Sequence, residues 1–263
     1  MPESITLFGR ELPVYGLCYV AGIFLAAGVA LLLSKKRGFD DRWEIAYSAI
    51  YTMIGGLVGA KLLYILVSLR QIIEQQVPLI ALLQGGFVFY GGVLGGMLGL
   101  LIYCKVYKTS FWQYADLFAV VLPLGHAVGR VGCFAAGCCY GIEYDGPLSY
   151  TYPPLHANPD PALIGVSRLP IQLIEAAVLL LLFAGMLATF LRHPTSRQRL
   201  SAQYVLAYSI VRFTLEFFRG DVVRGLFWGL STSQWISLAA AVIAVIWLIL
   251  RHRRSSEISS TEV

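Results

Sequence analysis

The chain has 263 residues, of which 57% are hydrophobic and 13% charged, and its mean hydropathy is +0.70. That composition excludes a soluble globular domain; polar residues are confined to short breaks between apolar runs of about 20 residues, the length that spans a bilayer. The net charge of +5 matters through its placement in those breaks, and neither a nucleic-acid partner nor a cofactor is expected. A single all-α polytopic domain over 1–263 is predicted, with the lipid bilayer as its surroundings.

Residues 1–13 read as a short N-terminal arm. They lack the basic region and cleavage site of a signal peptide, so the first span is expected to stay in the mature protein. That span, Val14 to Leu33, carries no charge and holds Tyr15 and Tyr19 one turn apart, as interfacial anchors or as part of a headgroup site. After the polar loop Ser34 to Arg42, a second span runs from Glu44 to Leu69, with Gly55, Gly56 and Gly59 in its middle and Lys61 beyond them. An intramembrane lysine marks a site or ion pair, or it snorkels. The third span, Phe87 to Tyr107, opens with Tyr90-Gly91-Gly92, and Gly91, Gly95 and Gly99 at spacing four predict a close-packing helix face.

The fourth span, Trp112 to Ala127, carries Asp116 and Pro123 and leads into GHAVGRVGCFAAGCCYG, Gly125 to Gly141. This stretch gathers one arginine (Arg130), one histidine (His126), three cysteines and five glycines. It reads either as a glycine-rich helix terminus whose arginine snorkels, or as a site, because a charge at the end of a span requires a partner. Residues 133–169 hold no run long enough to span; Pro153-Pro154, Pro159 and Pro161 with Asn158 and Asp160 predict an irregular loop or small head. Gln172 and Glu175 open a fifth span ending near Leu191. The sixth, Leu200 to Phe218, places Tyr208, Arg212 and Glu216 at i, i+4 and i+8, with Arg219 just beyond, near one helix face. Arg212 and Glu216 are a site or a mutually neutralising pair. The seventh, Ser233 to Leu250, precedes a tail over 251–263 expected to be solvated and disordered.

Seven spans put the termini on opposite sides. Loops after spans one, three, five and seven hold twelve basic residues and the other side six, which places the N-terminus outside and the C-terminus in the cytoplasm. Tyr90, the Gly125–Gly141 stretch, the head, Gln172, Glu175, Arg212 and Glu216 then fall at external span ends. Arginines outnumber their obvious partners there, which points to an anionic ligand. Acidic residues lie near the span ends and form no relay through the midplane, against an ion-coupled transporter. Cys18 and Cys104 read as small packed residues. Four readings stand for Cys133, Cys138 and Cys139: a disulfide from Cys133 to Cys138 or Cys139, a soft metal with His126, a thiol that carries lipid covalently, or plain packing. C-x4-C-C is not a standard zinc spacing, so no metal is expected.

These residues carry a resemblance over essentially the whole length. Tyr15-Gly-Leu-Cys-Tyr19, Gly91-Gly92, Gly129-Arg130-Val-Gly132 followed by Phe134, Gly137 and Gly141 all match. So do Pro170-x-Gln172-x-x-Glu175, Tyr208…Arg212-Phe213…Glu216-Phe217-Phe218-Arg219 and Leu230-Ser231…Gln234. In this order the chain resembles the bacterial phosphatidylglycerol–prolipoprotein diacylglyceryl transferase family. The resemblance implies a multi-pass inner-membrane enzyme that transfers diacylglycerol from phosphatidylglycerol to the lipobox cysteine of a prolipoprotein, forming a thioether and releasing glycerol-1-phosphate. It further implies that Arg130 and Arg212 bind phosphate and stabilise the leaving group, that Glu216 orients Arg212, and that Tyr15, Tyr208, Gly91, Gly92 and Gly141 line the lipid site.

Fixed positive charge for the phosphate and a base or field for a thiol of pKa about 8.5 are what this chemistry asks for. The chain departs from the family where the base sits. Tyr90 stands where the family has histidine before Gly-Gly, Cys133 where it has asparagine, and Cys138-Cys139 where it has glutamate and leucine. Tyr90, with an ordinary pKa near 10, and His126, as a substitute imidazole or a packed histidine, are the candidates for thiol activation. A paralogue with another acceptor, or a non-enzymatic lipid-binding protein, would keep the arginines without this step.

Overall fold

The computed structural model describes residues 4–7, 10–39, 41–74, 78, 86–153, 163–193, 199–221 and 225–261. The strands β1 (Ser4–Leu7) and β2 (Arg10–Pro13) pair antiparallel in the N-terminal arm, and Pro13 hands over directly to helix α1 (Val14–Arg37). Helices α2 (Arg42–Glu74), α3 (Phe89–Val106) and α4 (Phe111–Ala135) follow. The short hairpin β3 (Tyr150–Thr151) with β4 (Ser167–Arg168) precedes α5 (Ile171–Arg192) and α6 (Leu200–Glu216). A last hairpin, β5 (Leu226–Phe227) with β6 (Leu230–Ser231), leads into α7 (Thr232–Thr261). The all-α expectation therefore holds for the long elements; among the described residues, small hairpins occupy the N-terminal arm and two of the connections.

Among the described residues, six helices are long and apolar enough to cross a membrane. Their outer faces suit hydrocarbon rather than water: Phe24, Leu32, Leu62, Leu66, Val67 and Leu181 are each more than 60% exposed. Helix α6, the sixth span of the sequence reading, has 17 residues and is the shortest. Several boundaries differ from expectation, and two bear on the predicted loop and tail. Helix α4 runs through Arg130 to Ala135, so the predicted external loop begins three residues later than Cys133. The helix continues through Gly129 and Gly132 and ends only where Gly137 takes the left-handed conformation, φ +61°. The tail expected to be disordered instead continues α7 to Thr261; it contains neither proline nor glycine, so nothing in the sequence stops propagation from the span. Pro154, Asn158, Pro159, Asp160 and Pro161 lie outside the described residues.

Leu31–Ala115 form one compact unit and Met1–Ala30 with Asp116–Val263 another. In the Leu31–Ala115 unit, α2 and α3 run antiparallel on the predicted glycine face. A Cβ at Gly95 would strike the Gly55 carbonyl, one at Gly91 the Gly59 carbonyl, and one at Gly99 the Tyr51 carbonyl. Tyr51, Tyr103, Tyr107, Tyr114 and Phe39 cluster in the same unit, where the Tyr114 hydroxyl donates to Glu44 Oε2 at 3.1 Å. Lys61 Nζ donates to the Gly86 carbonyl at 3.3 Å and sits 4.3 Å from the Phe87 ring centroid, a cation–π arrangement. In the other unit, Asp116 of α4 accepts from the Ser201 amide at 2.9 Å and from its hydroxyl, capping the first turn of α6.

Candidate active site

The unit holding Asp116–Val263 brings four polar residues of α4 and α6 to one carboxylate of α5. Glu175, 2% exposed, accepts from Arg130 Nη2 at 2.9 Å and from the Tyr208 hydroxyl at 3.3 Å, both at Oε1. His126 Nε2 lies 4.0 Å from the same oxygen, and Arg212 Nη1 lies 4.0 Å from Oε2. The His126 ring meets the Tyr208 ring edge-on at 5.2 Å, and Tyr204 stacks on Tyr208. Glu175 is the hub that the sequence reading placed at a span entrance without assigning it to the site. Its signal was a lone carboxylate in the first turns of an otherwise apolar helix.

Arg212 has a second partner one turn on. Its Nη2 lies 2.5 Å from Glu216 Oε2 and 3.4 Å from Ser233 Oγ. Ser231 and Gln234 explain why the pair is so well held. The Ser231 hydroxyl accepts from the Gln234 amide at 3.2 Å, while Gln234 Oε1 accepts from the Ser231 amide at 2.9 Å, the reciprocal bonds of a capping box at the start of α7. The same Ser231 hydroxyl donates to Glu216 Oε1 at 2.9 Å. The start of α7 thus fixes the carboxylate that fixes Arg212. Arg219, at the end of the same face, donates from Nε and Nη2 to Asp221 Oδ1 and Oδ2 at 2.9 and 2.7 Å.

The arginines therefore do not outnumber their partners, as the sequence suggested; Arg130, Arg212 and Arg219 each meet a carboxylate. What distinguishes the cluster is incomplete hydrogen bonding. Arg130 Nε and Arg212 Nη1 are buried and have no hydrogen-bond partner among the described residues. A buried guanidinium donor left unmade costs free energy, and an oxyanion with several acceptor lone pairs is the ligand that would satisfy both.

The segment after α4 is tied down by main chain. Ile142 donates to Phe218 and Gly220 donates to Tyr140, each at 3.0 Å, while Leu169 donates to Ile142 at 3.0 Å. A Cβ on Gly141 would collide with the Leu169 carbonyl, and one on Gly220 with the Gly141 carbonyl. Gly141, expected to line the lipid site, is the point where three chain segments cross. Phe134, Tyr140, Tyr152 and Leu163 pack beneath it. Arg168, buried, donates to the Gly141 carbonyl at 3.2 Å and lies over the Tyr140 ring. Gln172 donates to the Cys138 carbonyl at 2.8 Å and to the Tyr152 hydroxyl at 3.1 Å; burial pushes that phenol up to about 12.

Cys133, Cys138 and Cys139 are free thiols, which sets aside the disulfide in this structure. Their sulfurs lie within 4.8 Å of one another, and His126 does not join them. Tyr15 of α1 is 44% exposed, and its main chain lies against Gly132, where an added Cβ would come 3.3 Å from the Tyr15 carbonyl. Tyr90, Gly91 and Gly92 belong to the Leu31–Ala115 unit, where Gly91 faces α2.

The profile of the family described as prolipoprotein diacylglyceryl transferase matches residues 2–250. The chain is 35% identical over 254 residues to the phosphatidylglycerol–prolipoprotein diacylglyceryl transferase of Clostridium tetani, covering 96% of this chain and 99% of that one. It is 31% identical over 236 residues to phosphatidylglycerol–prolipoprotein diacylglyceryl transferase 2 of Clostridium perfringens, with 88% of each covered. A relative of the same name from Acinetobacter baumannii strain SDF is 29% identical over 262 residues.

Proposed function

The chain belongs to the prolipoprotein diacylglyceryl transferase family, and from that premise we propose that Arg130 and Arg212 form the phosphate clamp of its reaction. The protein is a membrane-embedded transferase that moves the diacylglyceryl group of phosphatidylglycerol onto prolipoproteins. The observation that carries the clamp is the pair of unmade donors, Arg130 Nε and Arg212 Nη1, on two arginines that share Glu175.

The acceptor is the lipobox cysteine. Its sulfur attacks the glyceryl carbon bonded to the phosphate oxygen; the C–S bond forms, the C–O bond breaks, and glycerol-1-phosphate leaves with the electron pair. Charge develops on the departing phosphate, and two fixed guanidinium forks oriented before the reaction stabilise it without reorganisation. Glu175 holds both forks from one side, Glu216 with Ser231 and Ser233 holds Arg212 from the other. Tyr208 and Tyr15 line the headgroup side. Tyr90 and His126 are the candidate bases for the acceptor proton.

Helix α6, the sixth in chain order, brings the crossings to seven. At 17 residues it spans about 25 Å, the lower end of what a bilayer requires. With seven crossings the excess of basic residues after α1, α3, α5 and α7 puts the N-terminus outside and the C-terminus in the cytoplasm. A C-terminal fluorescent-protein fusion is then expected to be bright and a C-terminal alkaline phosphatase fusion inactive; the reverse pattern rejects this orientation.

The activity is tested with purified protein, phosphatidylglycerol vesicles and a synthetic lipobox peptide, read by mass spectrometry. A diacylglyceryl mass gain on the peptide cysteine is expected. A folded protein that transfers nothing to the peptide rejects the lipobox as acceptor.

A further inference from the structure

Thiol activation is the step for which this chain lacks the family's histidine, and the same chain carries three cysteines beside Arg130. Helix α4 ends in a Schellman motif. Gly137 takes φ +61°, its amide bonds the Phe134 carbonyl at 3.2 Å, and the Cys138 amide bonds the Cys133 carbonyl at 3.1 Å. In that motif the side chains of the residue after the glycine and the residue five before it meet, so Cys138 is folded back onto Cys133. A contact between two apolar residues would serve that cap equally well.

Cys139 goes beyond what the cap needs. It adopts φ +59°, a left-handed conformation that a side-chain-bearing residue rarely takes and that has an energetic cost. The turn delivers a third sulfur to the other two, all within 4.8 Å. Gln172 anchors the turn through the Cys138 carbonyl. All three cysteines remain partly exposed, and no histidine or carboxylate among the described residues brings a fourth ligand atom.

We propose that Cys133, Cys138 and Cys139 bind one zinc ion as three thiolates and leave its fourth position open for the acceptor thiol, which the ion activates for alkylation. Tetrahedral zinc with Zn–S near 2.3 Å sets its sulfurs about 3.8 Å apart, so the trio has to draw together by about 1 Å at most to hold the ion. Three protein ligands with one open position is the pattern of catalytic rather than structural zinc.

The atoms balance without an oxidant. Binding of zinc releases three thiol protons. The acceptor thiol enters the fourth position and loses its proton to solvent, since a coordinated thiol is deprotonated outright. The bound thiolate then attacks the glyceryl carbon, the phosphate leaves, and the proton is taken up by the released glycerol phosphate or bulk water. The neutral thioether is a weak ligand, which frees the position for the next acceptor. No residue in this scheme needs to act as a general base, which accounts for tyrosine at position 90.

This inference rests on the lipobox reading only for the identity of the fourth ligand, and its test separates the two. The full chain, purified after growth in zinc, is assayed for metal content, and then with cobalt in place of zinc for its sulfur-to-cobalt charge-transfer band. One zinc per chain is expected, absent from the Cys133→Ser/Cys138→Ser/Cys139→Ser variant. The cobalt band should shift on adding the lipobox peptide and stay put with the same peptide carrying serine for cysteine. Chelation should lower transfer by about 100-fold and added zinc should restore it, a reversal on the wild-type protein that stands even if the variant fails to fold. Protein that carries no more zinc than its triple variant, a cobalt spectrum indifferent to the peptide thiol, or undiminished transfer after chelation each overturns the proposal. Zinc and the cobalt shift without any mass gain on the peptide would retain the metal site and reject the lipobox transfer instead.

Discussion

Arg212→Lys lowers kcat/KM for diacylglyceryl transfer by about 100- to 1000-fold, the range for removing one preorganised donor to a developing oxyanion, while the protein still purifies as a folded species. The charge is retained, so Glu216 keeps a cation near it. What is lost is the planar fork. One face of it now engages Glu216 Oε2 at 2.5 Å and Ser233 Oγ at 3.4 Å, while Nη1 points toward Glu175 with its hydrogen bond unmade. A lysine ammonium presents a point charge and cannot serve both sides at once. Arg130→Lys should behave alike, because its Nη2 is committed to Glu175 and its Nε is the unmade donor. The measurement is steady-state transfer to the lipobox peptide, with thermal unfolding as the folding control. Transfer within about threefold of wild type in both variants, against the expected loss, would remove the clamp from these arginines.

Glu175→Leu acts on the fold more than on the chemistry. It leaves Arg130 buried without its carboxylate and takes from Arg212 one of two, and a stranded buried charge costs about 3–5 kcal/mol. The expected result is a large fall in unfolding temperature or in recoverable protein. Removing both charges in Arg130→Leu/Glu175→Leu should recover most of that stability, since a buried pair exchanged for apolar residues is often neutral. The double variant stays inactive. Glu175→Gln keeps an acceptor for Arg130 and Tyr208 and should fold, with weakened transfer. If Glu175→Leu unfolds at the wild-type temperature, Glu175 is not the hub of this cluster.

Long elements were legible because a bilayer demands uninterrupted apolar runs, and spans read from runs of about 20 residues differ from the observed helices by a few residues at most ends. The glycine repeat on α3 was legible for the same reason: a four-residue period has few uses other than close packing. Arg130, Arg212 and Glu216 could be picked out as charges in apolar surroundings. Their wiring could not. That Arg130 and Arg212 share Glu175 depends on α4, α5 and α6 packing together, and no spacing along one helix encodes it. Ser231 and Gln234 looked like family markers; only the start of α7 reveals them as a capping box that reaches Glu216. Gly141 shows a related limit, since a glycine admitted by backbone crossing and one admitted by a ligand look identical in sequence.

The crossing at Gly141 and Gly220 has a bearing on how such an enzyme changes over generations. The segment carrying Cys138 and Cys139 is held largely by main-chain bonds among Tyr140, Ile142, Leu169, Phe218 and Gly220 and by the Gln172 side chain on the Cys138 carbonyl. Its chemical inventory is therefore interchangeable at little cost to folding. A lineage can exchange the side chains at positions 133, 138 and 139 one mutation at a time, with Arg130 and Arg212 untouched. The same property makes the stretch from Cys133 to Cys139 a transplantable cassette. Moved into a relative that keeps the flanking glycines, it should carry its own mode of thiol activation along.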